Sequence, residues 1–311
     1  MVSSDLLTAI NVAIAISAIL GNGMVIVVMT VRRRQFSSFT NRLICHQSVI
    51  DLVAGVLFAL LKIVRPPSLT LDVDANLLGQ LYCRFIQSDC LLWGINVTST
   101  YNLVLITLER FLATCYPIKH RNYCSLLRVK KSMCSAWLIG FTYGFHNTLL
   151  NYFNQGVCEK SHLGTAAQVG VFILALSTEY LIPVFLMSFC YIRILITLRR
   201  RLAGPRQHLR GVMSRAKRNV IESMFLAVVM FVVCWTPAEG LYLTYLATNR
   251  ASAPLVNIAF SGLLTCNMCV NPIIYCFKYQ QFRGQFRELL TRRPHQVDVI
   301  TVNDSSTNRQ P

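Results

Sequence analysis

Long apolar stretches recur along almost the whole chain, and they constrain its fold more than any other feature. A helix that crosses a membrane needs about 20 consecutive, mostly apolar residues. Seven such stretches can be identified, at 7–31, 41–64, 83–115, 131–152, 168–198, 219–247 and 254–277. The sequence therefore predicts an all-α fold, a bundle of seven transmembrane helices, with no room for a separate catalytic or ligand-binding domain.

The distribution of positive charge predicts how the bundle is oriented. Of the 30 Lys and Arg, 24 fall in segments that seven spans would place on one side of the membrane, and five on the other. Loops rich in Lys and Arg face the cytoplasm. We therefore expect a multi-pass protein of the plasma membrane with an extracellular N-terminus and a cytoplasmic C-terminus.

The net charge of +17 does not indicate nucleic-acid binding. The basic residues stand in short groups between apolar stretches, without the interleaved aromatic residues that stack on bases. Anionic membrane lipids are the expected partner of such loops, and nucleic acid is not.

The apolar stretches and the charged segments between them divide the chain into four regions. We expect a short extracellular N-terminus at 1–6, the seven-helix domain at 7–277, and a disordered cytoplasmic tail at 291–311. Between the last two, residues 278–290 alternate aromatic and basic side chains in a pattern typical of a short amphipathic helix on the inner membrane surface.

Ionisable residues and prolines interrupt the apolar spans. A charged side chain at the centre of a membrane helix costs about 2.5–3.5 kcal/mol on insertion scales, so such residues are expected to face the bundle interior. Proline removes a helix hydrogen bond and introduces a kink. The ionisable residues are Asp51, Glu109, Arg110, Glu179 and Glu239, and the prolines are Pro183, Pro237 and Pro272.

Short motifs occur in a fixed order, one in each span. Together they resemble the rhodopsin-like (class A) G-protein-coupled receptors, over about residues 20 to 290, and more specifically the peptide receptors of that family. The motifs are Gly21-Asn22, Asp51, Glu109-Arg110-Phe111 followed by Pro117, Trp137, Pro183 with Tyr191, Cys234-Trp235-Thr236-Pro237, and Asn271-Pro272-Ile273-Ile274-Tyr275.

The resemblance implies a polar cluster around Asp51. In the family the residues that match Ser99, Asn267 and Asn271 surround this carboxylate, and the cluster holds a sodium ion in the inactive state. Oxygen ligands suit a hard cation. The sequence therefore predicts an allosteric Na⁺ at Asp51, with a protonated Asp51 as the alternative and no other cofactor.

The resemblance also implies a switch that couples to a heterotrimeric G protein. Neighbouring side chains share a helix face poorly, so we expect Glu109 to restrain Arg110 imperfectly. Lys217 stands where the family often has an acidic residue and is expected to repel Arg110, which predicts ligand-independent signalling. The residues assigned to this switch are Glu109, Arg110, Pro117, Tyr191, Lys217, Pro237, Pro272 and Tyr275.

A disulfide between Cys83 and Cys158 is expected from the same resemblance. The family usually places the first cysteine 25 residues before the arginine, whereas Cys83 lies 27 residues before Arg110 and Cys90 lies 20 before it. Cys83 is favoured because Cys90 would lie about two turns deeper. The two extra residues leave the start of the third span irregular.

The ligand pocket is expected between the outer halves of the spans. Thr265 stands where a retinal-binding protein would need lysine, and Leu92 stands where aminergic receptors carry aspartate, which excludes an opsin and disfavours a monoamine receptor. The residues assigned to the pocket are Asp89, Leu92, Glu179, Trp235, Glu239, Tyr242, Ser261 and Thr265.

Acidic residues in the pocket favour a positively charged ligand. Two carboxylates left unpaired in a low-dielectric site would be relieved by a cationic group or a shared proton. A short basic peptide is the first choice, followed by a small amine-like cation and then a lipid. Alternatively, the glutamates bond locally to Tyr180, Tyr242 or Asn257.

Other protein classes fit the sequence less well. No hydrolase triad, phosphate-binding glycine loop or zinc-ligand spacing is visible, so we predict that the chain is not an enzyme. A seven-helix channel or transporter is the remaining alternative, but an internal repeat is lacking.

Overall fold

A computed structural model describes residues 4–64, 76–154, 156–161, 164–202, 215–248 and 253–291. Three π-helical segments occur among the described residues, at Leu60–Val64, Tyr82–Gln87 and Ser177–Leu181. The all-α prediction is confirmed, and the α-helices in the described part of the chain are α1 Ser4–Val31, α2 Phe39–Ala59, α3 Asn76–Leu81, α4 Cys90–Cys115, α5 Pro117–Tyr123, α6 Leu126–Leu149, α7 Thr165–Leu176, α8 Ile182–Leu202, α9 Arg215–Thr248, α10 Pro254–Lys278 and α11 Gln280–Thr291.

Six continuous helical stretches within the described ranges are long and apolar enough to cross a membrane. They contain α1, α2, α4, the joined α7 and α8, α9 and α10. The predicted fourth span, α6, is not among these six, because polar residues such as Tyr143, His146 and Asn147 lower the hydropathy of its C-terminal half. Helix α6 nevertheless packs along α4 and completes the bundle of seven.

Glycines bring α6 directly against the backbone of α4. A Cβ atom added at Gly140 would lie 2.0 Å from Thr98 Oγ1 and 2.3 Å from the carbonyl oxygen of Gly94. At Gly144 the added atom would lie 2.4 Å from the carbonyl oxygen of Cys90. Small residues at helix contacts are typical of membrane bundles, because they allow the backbones to approach closely.

The irregular start of the third span has a local structural cause. The chain forms the short helix α3 and the π-helical segment Tyr82–Gln87, and α4 begins only at Cys90. Between them Asp89 adopts the left-handed conformation, with φ of 53°. Aspartate tolerates this conformation better than most residues. The break and the wider π turn accommodate the two residues by which Cys83 departs from the usual spacing.

Two of the three span prolines lie beside a helix irregularity or a compensating contact. Pro183 follows the π-helical segment Ser177–Leu181, and Pro237 and Pro272 lie inside α9 and α10. Because Pro272 has no N–H, the carbonyl of Met268 lacks its helical partner. The side chain of Asn22 fills this gap from α1.

A β-hairpin that was not predicted from the sequence follows α6. Strand β1 (Asn151–Asn154) pairs antiparallel with β2 (Val157–Lys160), and Gly156 at the turn has φ of 86°. Glycine adopts this backbone conformation without steric cost. Cys158 of β2 is joined to Cys83 by a disulfide, which confirms the predicted pair, and Cys90 is a buried free thiol.

Helix α11 corresponds to the predicted amphipathic helix at 278–290. Phe282 is fully buried and stacks on Phe286. The hydroxyl of Tyr279, just before the helix, donates to Asn41 Oδ1 at 2.5 Å. These contacts fix α11 to the end of the bundle formed by the start of α2. Most of the predicted tail at 291–311 lies outside the described residues.

Candidate functional site

A buried polar cluster surrounds Asp51 in the interior of the bundle. Its carboxylate is 1% exposed. Ser99 Oγ donates to Oδ1 at 2.8 Å and Asn271 Nδ2 donates to Oδ2 at 2.8 Å. Gln47 Nε2 lies 3.1 and 3.2 Å from the same two oxygens. The structure therefore brings together Asp51, Ser99 and Asn271 as predicted, and it adds Gln47.

The donors around Asp51 bear on the predicted sodium ion. Asn267, the fourth predicted ligand, forms no hydrogen bond with Asp51 within the described residues. A hard cation needs converging oxygen atoms, yet the carboxylate and Ser99 Oγ converge on the N–H donors of Gln47. In this arrangement the residues present do not fit a sodium ion.

Two carboxyl groups meet in the predicted ligand pocket. Glu179 and Glu239 are 7% and 6% exposed, and their carboxyl groups lie close enough to interact directly. The hydroxyl of Tyr143, on α6, donates to Glu179 Oε2 at 2.6 Å. The π-helical segment before Pro183 contains Glu179, and the turn after Pro237 contains Glu239.

The two carboxyl groups cannot both remain charged unless a positive charge lies beside them. Two neighbouring carboxylates repel each other strongly in a low-dielectric site, and a proton shared between them would relieve this repulsion. A cation placed beside the pair would replace the shared proton. The arrangement can therefore bind a positively charged group.

Asp89 has a different role from that of the two glutamates. Lys62, in the π-helical segment that follows α2, forms an ion pair with Asp89 Oδ2. The charge of Asp89 is therefore already balanced within the protein. Its other oxygen, Oδ1, is buried without a hydrogen-bond partner in the described part of the chain.

The remaining predicted pocket residues are spread over α4, α9 and α10. Leu92 is buried in an apolar cluster, and the ring of Trp235 packs edge-on against Trp93 with centroids 6.4 Å apart. The ring of Tyr242 packs against Phe172 at 4.7 Å. On α10, Thr265 Oγ1 donates to the carbonyl oxygen of Ser261 at 2.7 Å.

At the other end of the bundle, Glu109 holds Arg110 in two hydrogen bonds. Arg110 Nε donates to Oε2 at 2.7 Å, and a terminal guanidinium nitrogen donates to Oε1 at 2.9 Å. The expectation that neighbouring residues pair poorly is therefore not met. Both side chains are long enough to curve beside the helix, and the planar guanidinium matches both carboxylate oxygens.

Two further side chains bind the same carboxylate. Thr40 Oγ1, on α2, donates to Glu109 Oε2 at 2.6 Å. His120 Nε2, on α5, lies 2.9 Å from Oε1, so the neutral ring must carry its proton on Nε2 to donate there. Pro117 is the first residue of α5 and starts the helix that presents His120.

The other switch residues are partly described. Tyr191 and Tyr275 are buried, and their hydroxyl groups have no hydrogen-bond partner among the described residues. Buried polar groups without partners are rare and costly. Lys217 belongs to α9, but its side chain lies outside the described part of the structure, so its predicted repulsion of Arg110 stays a prediction.

Five residues that join these sites were not recognised from the sequence as functional residues. They are polar residues in or beside the predicted spans, and that position was the available signal. Their contacts connect α2 with α4 and α6, α6 with the π-helical segment before α8, and α4 with α5. The five are Thr40, His46, Gln47, His120 and Tyr143.

Comparison with known proteins identifies the family. Residues 21–275 match the family model described as 7 transmembrane receptor (rhodopsin family). The chain is 27% identical to the allatostatin-A receptor of Bombyx mori over 94% of this chain and 82% of that protein. It is 29% identical to galanin receptor type 2 of Mus musculus, over 89% and 75% of the two chains. It is 24% identical to adenosine receptor A2a of Homo sapiens, over 93% and 73%.

The chain therefore belongs to the rhodopsin family of seven-transmembrane receptors. It is a multi-pass membrane protein, a G-protein-coupled receptor that converts ligand binding into G-protein activation, and not an enzyme. The family assignment also removes the channel or transporter alternative.

Proposed function

We propose that the chain is a receptor of the plasma membrane for a short basic peptide. Its N-terminus is extracellular, and its C-terminus and the α5 and α11 helices are cytoplasmic. Binding of the peptide activates a heterotrimeric G protein through outward movement of the inner end of α9. The contact between Glu179 and Glu239 is the observation that carries this proposal.

The carboxyl pair supports a cationic ligand group. An arginine side chain would fit particularly well, because its planar guanidinium can bind two carboxylates through separate pairs of donors. The hydrogen bond from Tyr143 fixes the position of Glu179, so the site is preorganised. Two of the relatives named above are receptors for allatostatin A and galanin, which supports a peptide.

A small amine-like cation remains the second candidate. Leu92 stands where an aminergic receptor carries its aspartate, and Lys62 already balances Asp89, one turn closer to the extracellular side. The carboxyl pair is therefore the remaining acidic anchor for either ligand. A peptide is favoured over an amine because a peptide can also contact other residues of the pocket, whereas a small amine would depend on the carboxyl pair alone.

The proposed switch begins from the closed contacts of Arg110. Movement of α9 would release Arg110 from Glu109 toward the G protein, and Tyr191 and Tyr275 would find partners in the open state. The buried hydroxyl groups of these tyrosines support this, because each gains a hydrogen bond that the closed state lacks. The ligand shifts the equilibrium only by its different affinity for the two states. Lys217→Glu is expected to lower ligand-independent signalling.

The test is a screen of receptor-expressing cells against basic peptides and small amines, with readouts for several G proteins. An active peptide should lose at least about tenfold in potency on Glu179→Gln or Glu239→Gln, the effect of removing one charge-assisted contact. Glu288→Gln, at an exposed side chain of α11, is the matched control and should leave potency unchanged. Activation by amines alone would contradict the peptide proposal. So would a peptide potency that is the same on both glutamate variants as on the native receptor.

A further inference from the structure

The side chain of Gln47 occupies the centre of the polar cluster on its α2 side. Besides its contacts with both oxygens of Asp51, Nε2 lies 2.5 Å from Ser99 Oγ. Ser99 in turn donates its own hydrogen to Asp51 Oδ1. The Gln47 amide nitrogen thus presents partial positive charge to three oxygen atoms at once, which is the role that a bound cation would otherwise have.

A chain of hydrogen bonds fixes which end of the Gln47 amide faces Asp51. The indole N–H of Trp137 can only donate, and it donates to His46 Nε2 at 2.9 Å. His46 must then carry its proton on Nδ1, which lies 2.8 Å from Asn102 Oδ1. This places Asn102 Nδ2 toward Gln47 Oε1, at 2.8 Å.

The same chain opposes rotation of the Gln47 amide. If the amide turned by half a revolution, its oxygen would face the carboxylate of Asp51 and its nitrogen would face Asn102 Nδ2. Both new contacts pair like with like, acceptor with acceptor and donor with donor. Asn102 has a further anchor, because Nδ2 also donates to the carbonyl oxygen of Leu43 at 3.1 Å.

We propose that Gln47 replaces the sodium ion in this receptor, so that the Asp51 cluster is held together by the protein alone. The carboxylate charge is balanced by N–H and O–H donors from Gln47, Ser99 and Asn271. Sodium ions therefore do not stabilise the receptor. The hydrogen-bond chain from Trp137 keeps the donor end of Gln47 in this position.

The test measures the thermal stability of purified receptor in detergent, without ligand or G protein. Its outcome is therefore independent of the proposed ligand and coupling. The melting temperature is compared in NaCl and in N-methyl-D-glucamine chloride at equal ionic strength, for the native protein, Gln47→Ala and Gln47→Leu. The double variants of each with Asp51→Asn serve as controls.

We expect the native protein to melt at the same temperature in both salts. Gln47→Ala or Gln47→Leu opens the cluster, and its melting temperature should rise with sodium concentration until it saturates, an effect that Asp51→Asn abolishes. A saturable sodium-dependent rise in the native protein would overturn the proposal. The absence of a sodium effect in a folded Gln47 variant would also overturn it. If neither Gln47 variant folds, the comparison of the two salts for the native protein alone tests the proposal.

Discussion

Asn22 Nδ2 donates a hydrogen bond to the carbonyl oxygen of Met268 at 2.8 Å, across the interface between α1 and α10. Met268 lies four residues before Pro272, so this carbonyl is the one that proline deprives of its helical partner. Gly21 lets the helices approach here, since a Cβ at Gly21 would lie 3.1 Å from Pro272 Cβ. The Gly21-Asn22 motif and the proline kink are thus two halves of one contact.

Removal of the Asn22 amide should destabilise the receptor through this carbonyl. Asn22→Ala leaves a buried acceptor without a partner, which costs about 1–3 kcal/mol. In the background of Pro272→Ala the helix can supply its own N–H, so Asn22→Ala should cost less there. Thermal unfolding of the four proteins of this double-mutant cycle measures the difference, and equal costs in both backgrounds would contradict the assignment.

The contact between α4 and α6 should tolerate no side chain at Gly140. Gly140→Ala would force a Cβ against the Gly94 backbone, which cannot move aside as a flexible side chain can. We expect a loss of about 1–3 kcal/mol or more. Gly23→Ala in α1 is the matched control, because a Cβ there meets nothing within 4 Å. If melting temperatures fall equally for both, the close packing is not the cause.

The Cys83–Cys158 disulfide should be required for stability and cell-surface expression, whereas Cys90 should not be required. Cys158→Ser opens a bond between residues 75 apart. The loop-closure entropy for such a separation gives an upper figure of about 4.5 kcal/mol. Cys90→Ser removes only a buried thiol whose Sγ lies 3.4 Å from the carbonyl oxygen of Phe85. Cell-surface expression and melting temperature should fall markedly for Cys158→Ser alone; a comparable loss for Cys90→Ser would argue against this account.

His120 should help to keep the receptor quiet. It binds Glu109 from α5, so His120→Ala removes one of the contacts that hold the Glu109 carboxylate against Arg110. We expect a few-fold rise in ligand-independent signalling, since a hydrogen bond at a partly exposed site contributes about 0.5–1 kcal/mol. His120→Gln keeps a donor and should restore much of the restraint. Unchanged basal signalling in His120→Ala at equal surface expression would refute the role.

The regular parts of the fold were predictable because they follow from composition and periodicity. Apolar length predicted seven helices, and amphipathic alternation predicted α11. The spacing of Cys83 indicated an irregular start of the third span, but its form was not predictable, because the break involves the left-handed backbone of Asp89 and its ion pair with Lys62. Such a feature is a tertiary contact that no local pattern of residues specifies.

The polar sites were predictable in position, but only part of their pairing was, namely that of Asp51 with Ser99 and Asn271. Residues that the bilayer disfavours, such as Asp51 and Glu179, were recognised from the free-energy cost of placing an ionisable side chain in a membrane helix. Their partners Gln47 and Tyr143 come from other turns or other helices, and polar residues of that kind are common in spans. The hairpin was missed because its strands are only four residues long, although glycine at position 156 is typical of a tight turn.

We propose that the Glu109–Arg110 contact restrains a receptor that activates G proteins. The rate of nucleotide exchange on a panel of purified heterotrimeric G proteins tests this, with receptor in lipid nanodiscs and no ligand. We expect faster exchange than with empty nanodiscs for the native protein, a further increase for Glu109→Gln, and none above background for Arg110→Ala. Exchange at the background rate for the native protein and Glu109→Gln, with every G protein tested, would contradict it.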